Sequence, residues 1–474
     1  MHKSTTSKRK LPDTWLVVFF ILVVIAILTW IVPSGSFDYE TIDIDGAARK
    51  VAIAGSYHEI SKSEVSATGL LGLFASLYEG CVSAADIIFV IMTCAATFGV
   101  IVKTGAFHAF IGRVVQKNGS RSLILIPVLM LVFGLGGSLF GMLSEFYGFY
   151  PLIVGLMMAL GYDAMTGFAT IALGEYIGFM AATLNPYTVA VAQSIAGVQL
   201  YSGIGYRAVC FVCLFLCVVL MGAAVAYLML YARKVRRKPE LSVVYGDSCT
   251  HSFERSQLDS YTFTWRHTLI LLDVLATLVI LMMGMIRWKW GYKELCGLFI
   301  IMSAVAALID KWSPNDYCQE MLAGIRSVVW GCILTGLAKG IIVIMNHAQI
   351  MDTIIYVLGN LLEKAPSAIS AQLMLVAHTL INFLIPSGSG QAAATMPIMA
   401  PLADVLGVSR QVACLTFQFG DGLSNLLWPT CGIVIICGLG DVRYDRWLKW
   451  FGKLFLILFA AQMLLVEIAV LTGF

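Results

Sequence analysis

Two clusters of small and polar residues interrupt long apolar runs: Gly134, Gly136-Gly137-Ser138 and Gly141, followed by Ser144 and Glu145, and Ser387-Gly388-Ser389-Gly390-Gln391. Turns of this kind leave backbone N–H groups and hydroxyls free, and a helix N-terminus adds a partial positive charge that favours a carboxylate. Gly137, Ser138, Ser387, Gly388, Ser389 and Gly390 are therefore candidate substrate ligands. The competing reading is close helix packing by small side chains. Two further interruptions, Asn185-Pro186 and Trp428-Pro429, free carbonyls that could coordinate Na+ or accept from an ammonium group, with Thr183, Asn185, Asn425 and Thr430 beside them. A plain proline kink is the alternative.

Ionisable groups at membrane depth are costly and mark function. Here they are Glu145, Glu175, Asp421 and Lys339. Glu145 is assigned to substrate, whereas Glu175, Asp421, Lys339 and Thr183 are assigned to ion or proton coupling. Asp86, Asp273 and Glu467 lie nearer span ends or lack a counterpart, and are read as structural. No Ser/His/Asp set, metal-ligand spacing or nucleotide-binding glycine loop is present, so no enzyme, catalytic residue, bound metal or cofactor is expected beyond a coupling Na+ or H+, with Na+ placed at the hairpin tips. Cys210 and Cys213, spaced like a redox pair, sit inside an apolar run and read as packing residues.

These groups need a scaffold that holds them in lipid. The chain has 474 residues, 59% apolar and 12% charged, against about 25% charged in soluble domains. Many stretches approach the roughly 20 apolar residues that a transmembrane helix needs. Lys3, Lys8, Arg9 and Lys10 precede a retained first span, Trp15 to Pro33, which sets the N-terminus in the cytoplasm. An acidic loop, Ser34 to Glu64, falls outside. The run Val82 to Val102 returns to Lys103, Arg113, Lys117 and Arg121, with an amphipathic stretch over Thr104 to Val115. The stretch at about 122–161 reads as one re-entrant hairpin or two ordinary spans; the hairpin is expected, with a Pro-interrupted span over Gly167 to Leu200 and a return over Val209 to Tyr231, although two full crossings serve equally if 167–200 is itself a hairpin. The basic cluster Arg233, Lys234, Arg236, Arg237 and Lys238 then lies inside. Residues 1–232 form a first repeat with its N-terminal span, 233–267 a cytoplasmic linker, and 268–474 a second repeat. The second repeat has spans at Thr268 to Ile286, Leu298 to Ile309 and Ile325 to Met345, an amphipathic stretch over His347 to Lys364, and a hairpin at about 369–407. An interrupted span over Val412 to Leu439 and a last span over Phe451 to Leu471 follow.

The halves align residue by residue. Pro151 and Gly161 fall on Pro397 and Gly407 (397 − 151 = 407 − 161 = 246), Gly174-Glu175 falls on Gly420-Asp421 at the same offset, and Asn185-Pro186 meets Trp428-Pro429 at 243. The Val82 and Ile325 spans run in opposite senses, so the units are inverted, which is a transporter signature. The expected class is an all-α integral membrane protein of about nine transmembrane helices plus two re-entrant hairpins.

Ser387 to Gln391 with Ala392 to Pro401, Phe417 to Gly422, Gly136 to Met142, Ile177-Gly178-Phe179 with Asn185-Pro186, and Leu337 to Gly340 resemble the YfcC-type membrane proteins. These belong with the anaerobic C4-dicarboxylate carriers and basic amino acid antiporters of the ion-transporter superfamily. The resemblance runs over nearly the whole chain. It implies an elevator-type fold with a scaffold and a mobile domain, often a homodimer, carrying amino acids, dicarboxylates or related small organic acids. Two positions depart from the family pattern: Ser144-Glu145 replaces a pair of glutamates, and Asn425 replaces a histidine. The expected function is secondary active transport across the cytoplasmic membrane, ion-coupled or by exchange. The partners expected are a small-molecule substrate and lipid, with no nucleic acid. An amino acid or zwitterion ranks ahead of a C4-dicarboxylate, and a channel is the competing class.

Overall fold

The computed structural model describes residues 14–44, 47–65, 67–110, 113, 122–216, 224–249, 263–288, 290–364, 366 and 369–474. Lys3, Lys8, Arg9, Lys10, Lys117 and Arg121, residues 250–262 of the linker, and residues 111, 112, 114 and 115 of the first amphipathic stretch lie outside these residues.

One group of helices is built around a long central rod. α1 (Thr14–Ile31) is followed by α2 (Leu70–Ser83) and α3 (Ala85–Lys103). α2 lies in a stretch where no helix was expected; its glycines and serine lower the apolar signal because they serve close packing. A Cβ on Gly80 would sit 2.2 Å from the Gly336 carbonyl oxygen, and one on Gly340 2.9 Å from the Ser76 oxygen. Gly336 and Gly340, four apart, thus let α2 ride on the rod, the small-residue packing that membranes favour. That rod, to be called α12, spans Pro314–His347 and starts with Pro314 at N1 behind the Ser313 cap. α1, α2 and α3 all pack on it, and α3 also packs against α11 (Tyr292–Ile309).

The second group has two similar halves. α4 (Leu125–Phe140) and α5 (Phe149–Ala159) pack on α6 (Ala164–Met180), which breaks before α7 (Val189–Ile195). α8 (Ile204–Leu216), α9 (Ala224–Arg237) and α10 (Trp265–Trp288) then lead into the first group. After α12, α13 (Met351–Glu363) leads to α14 (Ser370–Leu384) and α15 (Gly388–Val405), both on α16 (Arg410–Ser424), which breaks before α17 (Ile433–Leu439) and α18 (Tyr444–Leu471). Glycine governs both interfaces. A Cβ on Gly178 would come within 1.9 Å of the Gly134 oxygen, and one on Gly420 within 2.7 Å of the His378 Cβ.

The two broken helices cross antiparallel. A Cβ on Gly422 would lie 2.3 Å from Met180 Cα, so the helices meet next to their breaks. At one end Arg410 Nη1 donates to the Ala196 carbonyl (2.8 Å), and at the other Gly440 packs on Phe168.

One expectation needs correction. The segment after α1 is not plain loop, and the chain is not purely helical: β1 (Ser34–Ser36) pairs with β4 (His58–Ile60), and β2 (Tyr39–Ile44) pairs with β3 (Ala47–Ala52), both antiparallel. This strap docks on α13, where Asp352 accepts from the Tyr39 hydroxyl (2.8 and 2.9 Å) and the Phe37 N–H (3.1 Å). Among the described residues four helices, α3, α11, α12 and α18, are long and apolar enough to cross a bilayer in one continuous run. Several other apolar helices are shorter, although α10 runs over 24 residues. α5, at 11 residues, reaches only about 16 Å at 1.5 Å per residue.

Candidate functional site

The breaks are where backbone groups lose their helical partners, and each is satisfied by the hairpin beside it. At the first, the N–H groups of Thr183 and Leu184 donate to the Ser138 carbonyl (3.0 and 3.3 Å), and the Ser138 hydroxyl donates to the Ala181 carbonyl (3.3 Å) and lies 3.2 Å from the Thr183 hydroxyl. Asn185 Oδ1 accepts from the Tyr187 N–H (2.9 Å), closing a local turn. Gly141 is left-handed (φ 70°) and a Cβ there would lie 2.5 Å from Asn185 Oδ1, so only glycine fits this tip. At the second break, the Thr430 hydroxyl donates to the Phe383 carbonyl (2.8 Å) and Trp428 Nε1 to the Thr379 carbonyl (2.6 Å). The Asn382 and Asn425 amides both donate to the Asp421 carbonyl (3.0 and 2.8 Å).

Between the two helix groups lies a cavity of about 400 Å³. Of the residues singled out in the sequence, Glu145, Lys339, Ser387, Gly388, Ser389, Asn425 and Thr430 line it. Glu145 stands on a short turn after α4 and accepts from the Leu143 N–H (2.9 Å). Lys339, half-buried on α12, forms no ion pair with a described residue. Ser387 caps α15, accepting from the Gly390 N–H at 3.4 Å, so the start of that helix faces the cavity.

The remaining candidates do not reach the cavity wall. Gly137 packs face to face with α6, a Cβ there lying 2.3 Å from the Glu175 carbonyl oxygen; Ser138, Thr183 and Asn185 hold the first break, and Gly390 lies within the first turn of α15. Glu175 is wholly buried, with Oε1 accepting from the Tyr150 hydroxyl at 2.6 Å and Oε2 without a partner. Asp421 is wholly buried and neither carboxylate oxygen has a hydrogen-bond partner. It stands just behind the cavity: a Cβ on Gly388 would lie 3.2 Å from its Oδ2 and 2.5 Å from Thr188 Cγ2.

Sequence reasoning missed Thr188, Tyr147, Tyr176, Trp290 and Tyr292, all on the cavity wall, and Tyr150, the partner of Glu175. Thr188 alone carried a signal, by lying in the same break as Asn185. A second cavity, about 560 Å³, shares Leu334, Val434 and Ile435 with the first and continues to Asp247, Ser248 and Arg443. There Asp247 of the segment after α9 pairs with Arg446 (3.0 and 3.2 Å).

The family model of the C4-dicarboxylate anaerobic carrier, DcuC, matches residues 11–471. The chain belongs to the DcuC family. Within it, a protein of Escherichia coli (strain K12) named YfcC, provisionally assigned as a basic amino acid antiporter, is 32% identical over 99% of this chain and 98% of its own. A Haemophilus influenzae protein with no assigned activity is 26% identical over 97% of both. Among solved structures, the Neisseria gonorrhoeae efflux pump MtrF is similar at a TM-score of 0.44, with 15% identity over 98% of this chain and 96% of that one. As a DcuC family member with several apolar helices, the chain is a membrane protein of a transporter family. In this DcuC member the partly open cavity between the two helix groups is lined by both polar and aromatic residues.

Proposed function

We propose that the protein is a secondary active transporter of the cytoplasmic membrane, carrying a small zwitterion by alternating access, with a C4-dicarboxylate as the alternative cargo. The observation that carries this reading is the charge of the cavity wall. Among the described lining residues Glu145 is the one carboxylate and Lys339 the one ammonium group. A zwitterion matches that pair, whereas a dicarboxylate would leave one charge facing Glu145, a costly mismatch in a partly dehydrated site. The start of α15 adds N–H donors for the substrate carboxylate.

In this reading the α4–α5 and α14–α15 hairpins, with their broken helices, are the cores of two inverted repeats. The antiparallel crossing of α6 and α16 supports that reading. The helices around α12 would be the scaffold and the hairpin group the moving body of an elevator. Asp421, with two unpartnered oxygens behind Gly388, is the group best placed to bind the coupling Na+ or H+, and Glu175 is its counterpart. The test is counterflow in proteoliposomes with amino acids and dicarboxylates competing while Na+ and pH vary independently. Competition by succinate alone would overturn the zwitterion, and flux that neither saturates nor depends on substrate on the far side would overturn the carrier in favour of a channel.

A further inference from the structure

The two charged groups occupy little of the cavity wall. Most of the rest is aromatic or aliphatic: Trp290 and Tyr292 at the start of α11, Tyr147 at the first hairpin tip, Tyr176 and Phe179 on α6, and Ile435 on α17. Trp290 and Tyr292 belong to the helix group around α12, and Tyr147 to the hairpin group, so the apolar wall is made by both sides of the cavity. About 400 Å³ is the volume of roughly a dozen water molecules at 30 Å³ each, enough for an amino acid of moderate size.

We infer that the cargo carries a large apolar side chain, in the class of leucine or phenylalanine, held against the rings of Trp290, Tyr292 and Tyr147. This rests on the reading of the cavity as the transport site for a zwitterion. A basic amino acid brings a second cation, but Glu145 is already matched to the α-ammonium and no other carboxylate lines the cavity among the described residues. The ring faces offer that cation a weaker partner than a carboxylate. A short side chain such as that of alanine leaves the rings facing water. Each methylene that fills an apolar pocket gives roughly 10- to 200-fold discrimination, so leucine should exceed alanine by at least tenfold.

The experiment uses the purified full chain in proteoliposomes, with radiolabelled leucine counterflow competed by phenylalanine, alanine, lysine, succinate and 4-methylpentanoate, the deaminated analogue of leucine. Phenylalanine is expected to compete at concentrations at least tenfold below alanine and lysine. Trp290→Ala or Tyr292→Ala should raise the half-saturating leucine concentration about tenfold and that of alanine by much less, while Tyr292→Phe, which keeps the ring but loses the hydroxyl bonded to Ser144, should retain the preference for leucine over alanine. Lysine competing better than leucine overturns the inference, and so does an equal loss for leucine and alanine in variants that remain monodisperse. Exchange of succinate with no amino acid exchanged would instead sink the parent reading, and with it this one.

Discussion

Asp421 and Glu175 align at the 246-residue offset (421 − 175 = 246) but have different surroundings. Glu175 has a donor in Tyr150, and Asp421 has none for its carboxylate. Asp421→Asn is therefore expected to abolish the cation or proton dependence of uptake and lower its rate at least tenfold while the protein stays inserted and monodisperse; full ion-dependent uptake would remove Asp421 from the coupling role. Glu175→Gln can keep the Tyr150 contact and should fold normally while impairing transport. Tyr150→Phe strips the donor from a buried carboxylate and should cost about 1–3 kcal/mol, visible as a lower unfolding temperature in detergent. Gly388→Ala places a methyl 2.5 Å from Thr188 Cγ2, so it should depress uptake. Adding Thr188→Ser removes the clashing methyl, and partial recovery of uptake in the double variant is the expected result.

Several helix pairs in this molecule meet closely at glycines. Gly178→Ala drives a methyl to 1.9 Å from the Gly134 oxygen, between two rigid backbones. The expected outcome is loss of the folded peak in size-exclusion chromatography, whereas Gly161→Ala, with nothing within 4 Å but a φ of +86°, should keep the fold at a modest cost in stability. The strap is tied to α13 through Asp352. Burial, and then the Asp352 carboxylate beside it, push the Tyr39 phenol well above its ordinary value. A raised phenol stabilises the docked strap fully below the ordinary tyrosine pKa of about 10 and loses that contribution as pH rises beyond it. Proteolytic nicking of the strap should stay slow from pH 7 to 9 in the wild type and be fast throughout that range in Asp352→Ala.

At the scale of the whole molecule, the two helix groups meet along a seam of cavities, with Leu334 on one side and Val434 and Ile435 on the other shared by both chambers. If the hairpin group moves against the rod, fixing these walls together must stop transport. In a cysteine-depleted background, Leu334→Cys with Ile435→Cys joined by a short bifunctional reagent is expected to block counterflow, and reduction of a cleavable linker should restore it. Undiminished exchange in the cross-linked protein would reject the elevator reading.

The sequence by itself determined the membrane class and the breaks at Asn185-Pro186 and Trp428-Pro429, and it sets the small-residue clusters and Glu175 and Asp421 at recurring positions. Each is local or repeats at a fixed offset, so composition and spacing carry it. The helical start at Ala85 rather than Val82, the strap and α2 were not legible, because glycine, serine and short alternating strands give weak apolar signals. Only the tertiary structure decided which small residues are ligands and which are contacts. Gly388 and Gly137 look alike in the chain, yet one borders a cavity and the other presses on the Glu175 carbonyl. It also brought Trp290 and Tyr292 to the same cavity as Glu145, more than 140 residues away (290 − 145 = 145). Contacts across that separation come from helix packing, which no local pattern encodes.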